Sequence, residues 1–252
     1  MKNRSKFIKF FCFSICLFFS CGLDTFYVIP SPLECNFTPI VSDLSSYNPS
    51  FGIEIRYFDF YTNEESYDEI ESFNFLGTSI YYKIYNSLSQ LNNDRYELER
   101  LANSDETSVY APSKLIETYK FCLLNNREPL IPYKGKNQNV YIRLSSYENN
   151  LRYSSRILID KDFEEATQND TYLIPLRIDG KSTFNFGRAG ENDNVPQSDD
   201  IDVKYSPTST QEGVWYVSMF AVAVGMDETF TKTYSNILWL GSVAIDANSY
   251  DN

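Results

Sequence analysis

Three groups of residues in this 252-residue chain have the types and spacing to do chemistry. The first is the acidic stretch Glu191, Asp193, Asn194, Asp199, Asp200 and Asp202. Clustered Asp and Asn on a loop can supply the roughly six to eight oxygen ligands that calcium takes. Asp193, Asp199, Asp200 and Asp202 are the candidate ligands. Their spacing is not that of an EF-hand and the central Gly is absent, so a solvated loop is the plainer reading and no metal cofactor is expected. The second group is the adjacent carboxylates Glu64/Glu65, Asp68/Glu69 and Glu164/Glu165. Two carboxyls set roughly 5–9 Å apart across a glycosidic bond can act as acid and base. Among 34 acidic residues, however, adjacent pairs arise by chance. The third is Gly180-Lys181-Ser182, which invites comparison with a phosphate loop. Pro175 stands where that loop needs its upstream Gly, and no helix signal follows, so the segment reads as a β-turn with a basic tip.

A stronger constraint is that the chain contains no His. Ser-His-Asp and Cys-His catalysis are excluded within it, as are zinc sites built on imidazole. Any enzyme reading must run on carboxylates, Lys, Tyr or Ser. The formal charge of −12 disfavours a nucleic-acid partner, because phosphate binding needs a basic surface. The chain is rich in Tyr (20) and Phe (19), enough for a sizeable core. Tyr57, Tyr61, Tyr81, Tyr85 and Tyr133 could mark a glycan or protein contact, against the alternative of core packing.

The N-terminus concerns location. Lys2, Arg4, Lys6 and Lys9 form a basic start, followed by the uncharged apolar run from Phe10 to Ser20. Eleven residues fall short of the ~20 that cross a bilayer as a helix. A basic start, a short apolar run and a small residue before the cut is the layout of a secretory signal. Ser20-Cys21-Gly22 then resembles the lipobox of bacterial lipoproteins, with Phe18 at the place where Leu is usual. Relaxed boxes of this kind are similar to those of spirochaete lipoproteins. The resemblance implies cleavage before Cys21, palmitate-type acylation of Cys21, and a mature chain of 232 residues held in the cell envelope. The outer membrane is the expected site, on either face. Two or more acyl chains on one Cys hold a protein stably where so short an apolar run does not. The alternative is an uncleaved anchor or a simple secretory signal. Cleavage also removes Cys12, Cys16 and the four basic residues, moving the net charge to −16. Cys35 and Cys122 remain. They either pair, closing a loop of about 90 residues for about 3–5 kcal/mol in the chain-entropy model, or stay as separate buried thiols.

The elements that must position these residues are mostly strands. Residues 52–61, 79–85, 139–147, 153–160 and 172–179 alternate with period two, with Pro175 marking the last as an edge or a bulge. Ile80, Tyr82 and Ile84 face one way and Tyr81, Lys83 and Tyr85 the other, as in a central strand. Val214–Gly225 is almost wholly apolar, as expected for a strand buried on both sides, and Tyr234–Ile245 returns as its antiparallel partner. Leu88, Leu91, Leu98 and Leu101 recur at helical spacing, with Asn93 or Asp94 as the expected cap and Pro112 in the first turn of a second short helix.

Several short strands with polar turns predict a mainly β, antiparallel sandwich with a small helical insertion at about 88–122. The last two strands and "SIYYKIY" resemble the closing hairpin and a central strand of fibronectin type III or immunoglobulin-like domains. The expected organisation is a signal peptide at 1–20, a lipidated Cys and tether at 21–33, one elaborated sandwich at 34–246, and a tail at 247–252. The expected function is a lipid-anchored envelope protein with a non-catalytic binding or scaffolding role. Its ligand would be an unidentified protein or glycan, and its membrane contact the lipid on Cys21. The rival expectation is a carboxylate-dependent, glycan-directed hydrolase at the envelope.

Overall fold

The computed structural model of the protein describes residues 28–35, 57–144, 146–148, 151–153, 155–161, 172–178, 183–184, 186, 195–210 and 212–246. Strands form in the alternating stretches at 57–61, 79–85, 139–143 and 156–159 and over the apolar run at 214–225. In chain order they are β1 (Leu33–Glu34), β2 (Tyr57–Tyr61), β3 (Phe73–Tyr85), β4 (Cys122–Leu123), β5 (Ile131–Pro132), β6 (Asn139–Arg143) and β7 (Ser146–Glu148). These are followed by β8 (Leu151–Tyr153), β9 (Arg156–Ile159), β10 (Val203–Lys204), β11 (Val214–Asp227), β12 (Lys232–Tyr234) and β13 (Leu238–Asp246). One sheet has the order β1-β2-β6-β9. The second is built on β3 and β11, with β12 and β13 on the far side of β11 and β4, β5 and β10 against β3. All pairings are antiparallel except that of β10 with β3. The short β7 and β8 pair separately.

The protein is thus a mainly β sandwich with a small helical insertion, and β11 shows why its sequence is apolar throughout. Odd-numbered Val217, Met219 and Ala221 face the inter-sheet core with Phe58, Phe60, Val140 and Ile142. Even-numbered Tyr216, Phe220 and Val222 face a second core under the helices, with Leu91, Leu98 and Leu115. Each fully buried side chain of this size contributes about 1.5–3 kcal/mol of transfer free energy. Both faces of β11 are covered, so alternation disappears and only length identifies the strand. β3 divides in the same way, with Ile80, Tyr82 and Ile84 in the first core and Tyr81 and Tyr85 in the second.

The helical layer comprises α1 (Leu88–Ala102), a turn at Ser108–Tyr110, and α2 (Ala111–Ser113), which runs into a π-helical turn at Lys114–Thr118. The cap of α1 is Ser87, whose hydroxyl accepts from the backbone N–H of Gln90. Asn93 and Asp94 therefore sit inside the helix. Asp94 is buried and held by Lys204 (2.8 Å) and Tyr85 (3.1 Å), which is a packing role. Pro112 occupies the first turn of α2, as its missing N–H allows. A full strand at 172–179 does not form. Residues 172–178 make one bridge, Leu173 to Ile157, because Pro175 cannot donate to a ladder.

Candidate functional site

The acidic stretch does not assemble a cation site from its described members. Asp199 is exposed. Asp200 and Asp202 turn inward to a protein cation, Arg177. Its Nε and Nη2 donate to the two oxygens of Asp202 at 2.9 and 2.7 Å, and Nη2 donates to Asp200 at 2.7 Å. Tyr82 adds its hydroxyl to Asp202 at 2.7 Å and accepts from the N–H of Ile178 at 2.8 Å. Burial works against the guanidinium charge, but the hydrogen bonds and charges of Asp202 and Asp200 outweigh it, so the Arg177 pKa is raised. The carboxylate oxygens of Asp200 and Asp202, expected as calcium ligands, take part in this clamp instead. Among the described residues no cluster of three or more His, Cys, Asp or Glu forms a metal site. Asp193 and the Gly180-Lys181-Ser182 turn lie outside the described residues, as does Cys21.

The adjacent carboxylates do not face a common centre either. Glu64 is buried and structural, accepting from Gln138 Nε2 and the Lys134 N–H, both at 2.6 Å. Glu65, Asp68 and Glu69 are exposed, and Glu164/Glu165 lie outside the described residues. Of the aromatic candidates, Tyr81 and Tyr85 are core residues, Tyr133 packs with Tyr67 and Phe75, Tyr57 is half-buried with its ring tilted against Tyr141, and Tyr61 is half-buried.

Cys35 and Cys122 are both thiols, not bonded to one another. The reason is topological. Cys35 follows β1 on the first sheet and hydrogen-bonds Asp59 of β2, whereas Cys122 on β4 lines Tyr82 of the second sheet. Reductant is therefore expected to leave the urea midpoint unchanged, and both thiols should react with a disulfide reagent in denaturant. A midpoint that falls on reduction would contradict this.

Lys83 is the buried amine of the second core. Its ammonium donates to the carbonyls of Tyr119 (2.5 Å) and Lys120 (3.3 Å). Burial lowers its pKa, opposed by the neighbouring Cys122 and Asp94. The unfolded chain holds this proton up to about the ordinary value of 10.5, whereas the folded chain releases it earlier. The charge therefore costs stability in full below the folded pKa, and that cost vanishes above 10.5. Wild type should gain on Lys83→Met as pH rises through this window, by up to ~1.4 kcal/mol per pH unit. Urea unfolding of both proteins across the alkaline range checks it, and parallel profiles would refute it.

The feature that sequence reasoning missed is a cleft of about 300 Å³ where the helical layer ends. Its apolar floor comes from β11 (Phe220), Ile237 just before β13, and Leu238 and Trp239 at the start of β13. One wall is the last turn of α1, with Glu99, Ala102 and the capping Asn103, and Glu34 of β1 closes the rim. Arg95, one helical turn before Glu99, lays its guanidinium over the Trp239 ring at 4.5 Å and pairs with Glu99 at 3.2 Å. The Trp239 indole N–H donates to Ser218, which fixes the ring, and Asn236 ties the carbonyl of Ala102 to the floor at 2.8 Å. Burial raises the Glu99 pKa; Arg95 opposes this and the Glu34 carboxylate adds to it. The negative end of the α1 dipole points the same way as the two carboxylates. An aromatic-floored cleft with a negative rim can receive a cationic or polyhydroxyl group. The chain matches no protein-family model, no curated protein and no solved structure.

Proposed function

We propose that this chain is a lipid-anchored envelope protein whose sandwich binds a ligand without transforming it, with the Trp239 cleft as the seat. The observation that carries the binding role is the cleft. It combines a fixed aromatic floor with two carboxylates on one rim, Glu99, which pairs with Arg95, and the exposed Glu34, whose charge raises the Glu99 pKa further. Arg177 is paired with Asp200 and Asp202, and Lys204 with Asp94, which favours a framework role for these groups. The ligand that fits is a protonated amine on an apolar stem, such as a lysine side chain of a partner. Trp239 emission titrated with cadaverine and with a neutral N-acetylglucosamine oligomer tests this. Cadaverine should bind, and Glu99→Gln should weaken it several-fold. Binding of the oligomer alone would move the ligand class to glycans, and no response to either would remove the cleft as the seat.

Anchoring rests on the basic start, the apolar run and Ser20-Cys21-Gly22. Wild type is expected in the detergent phase on phase separation and Cys21→Ala in the aqueous phase. An unchanged distribution would refute lipid attachment at Cys21. The second reading, a hydrolase, is favoured by one observation: Glu34 and Glu99 share the cleft and the Glu99 pKa is raised. Release of reducing ends from envelope polysaccharide, abolished by Glu99→Gln, would establish it.

A further inference from the structure

The end of the sandwich that faces the membrane is set by where the tether joins the fold. Ile29, within the tether stretch and the first buried residue among those described, packs on Phe73, Phe75 and Ala223. Phe73 begins β3 and pairs with Asp227, the last residue of β11, so the tether meets the domain beside the β11–β12 hairpin. Three exposed apolar side chains lie at this end: Val28 (81% exposed), Phe230 at the hairpin tip (78%), and Ile70, whose backbone bridges to Phe73. Phe230 is presented by a fixed turn. The Asp227 carboxylate accepts from the Thr229 N–H, the Thr229 hydroxyl and the Thr231 N–H, and Phe230 itself has φ +64°.

Chain length selects this end over the other. The seven steps from Cys21 to Val28 span at most ~25 Å. β3 alone runs 13 residues, ~43 Å, away from that point. The exposed Ile201 and Tyr205 flank β10, which pairs with the far end of β3, out of reach of the membrane. Asp227 and Glu228 sit beside Phe230, and Lys232 is paired with Glu128, so the contact is apolar rather than a charge attraction.

We infer that the Phe230 hairpin, with Val28 and Ile70, is a membrane-contacting surface that rests on the bilayer holding the chain's own lipid. This inference rests on acylation of Cys21. Side chains at such an interface sit about 5–10 Å into the headgroup region, and one Phe orients a domain that the acyl chains already hold. The test uses the lipidated full-length protein, purified from membranes, in phosphatidylcholine vesicles with and without brominated acyl chains. Phe230→Trp should add emission that the brominated lipid quenches on the order of twofold, and Ile201→Trp should add emission that it does not quench. Vesicle-bound Phe230→Trp protein with unquenched added emission, or equal quenching at both positions, overturns the inference while leaving the anchor intact. Protein that carries no lipid and stays off the vesicles overturns both.

Discussion

Arg177→Met is expected to cost roughly 3–5 kcal/mol of folding free energy, the range for removing one partner of a buried ion pair. The guanidinium is the cation for two carboxylates, and Asp202 is almost fully buried. The variant would leave Asp202 with the single hydroxyl of Tyr82. The loss is also architectural. Arg177 belongs to the extended segment 172–178, which bridges β9 at Leu173, exchanges hydrogen bonds with Asn125 through Ile174 and Leu176, and reaches Tyr82 of β3 through Ile178. That segment joins the edges of the two sheets, and the ion pair fixes it. Tyr82→Phe removes one hydrogen bond and keeps the ring packing on Phe184, so it should cost only about 1–2 kcal/mol. Asp200→Asn keeps both Asp202 bonds and should fall below Arg177→Met. Urea denaturation of the three variants ranks them. Arg177→Met within 1 kcal/mol of wild type, on the order of an exposed pair, would show the clamp to be ornamental to stability.

This clamp marks the boundary between what the sequence reveals and what it conceals. β3, β11 and α1 are legible because each periodicity is generated within one element and repeated along it. The run Val214–Gly225 needs no knowledge of its partners to read as doubly buried. Arg177 and Asp202 are 25 residues apart, one in a segment that alternates as a strand does and the other in a stretch that reads as a solvated loop. The alternation at 172–179 reads as a strand, yet Pro175 limits it to one bridge, and its role comes from the side chains it carries rather than from a ladder. Asp94 fails differently. Its residue type suits a helix cap, but Ser87 takes the cap and Asp94 faces inward to Lys204 and Tyr85. The cleft is concealed most thoroughly. Glu34, Glu99 and Trp239 come from a strand of the first sheet, a helix and a strand of the second, and no spacing rule connects them. The absence of His, readable without the fold, excludes imidazole chemistry within the chain, and the ionisable residues lining the cleft are the carboxylates Glu34 and Glu99.

Gly77→Ala is expected to be as damaging as loss of the clamp, for a reason confined to the backbone. β3 carries an extra residue opposite Val224 and Gly225, and Gly77 adopts φ +138° beside this bulge. A Cβ there would lie 2.1 Å from the Ile131 carbonyl oxygen and 2.9 Å from the Tyr133 nitrogen, both backbone atoms of β5 and its flank. Flexible side chains could yield, but these backbone atoms lie in a segment pinned to β3 on both sides, by the Tyr133 N–H to the Leu76 carbonyl and the Leu130 N–H to the Thr78 carbonyl. The substitution must therefore push β5 off β3 or flatten the bulge. Backbone strain of this kind costs about 1–3 kcal/mol, and each displaced hydrogen bond adds ~0.5–1.5 kcal/mol. A total near 3–5 kcal/mol is a large fraction of the roughly 5–15 kcal/mol that stabilises a typical domain. Gly135→Ala is the control. It also has positive φ (+73°), but the nearest atom to its Cβ is the Tyr133 hydroxyl at 3.6 Å, so only the conformational cost of ~1–2 kcal/mol applies. If both variants lost the same stability, close approach of β5 would not be what requires Gly at position 77. A Gly77→Ala loss exceeding that of Gly135→Ala, with amide exchange accelerated at Leu130 and Tyr133, would locate the damage at the β3–β5 contact.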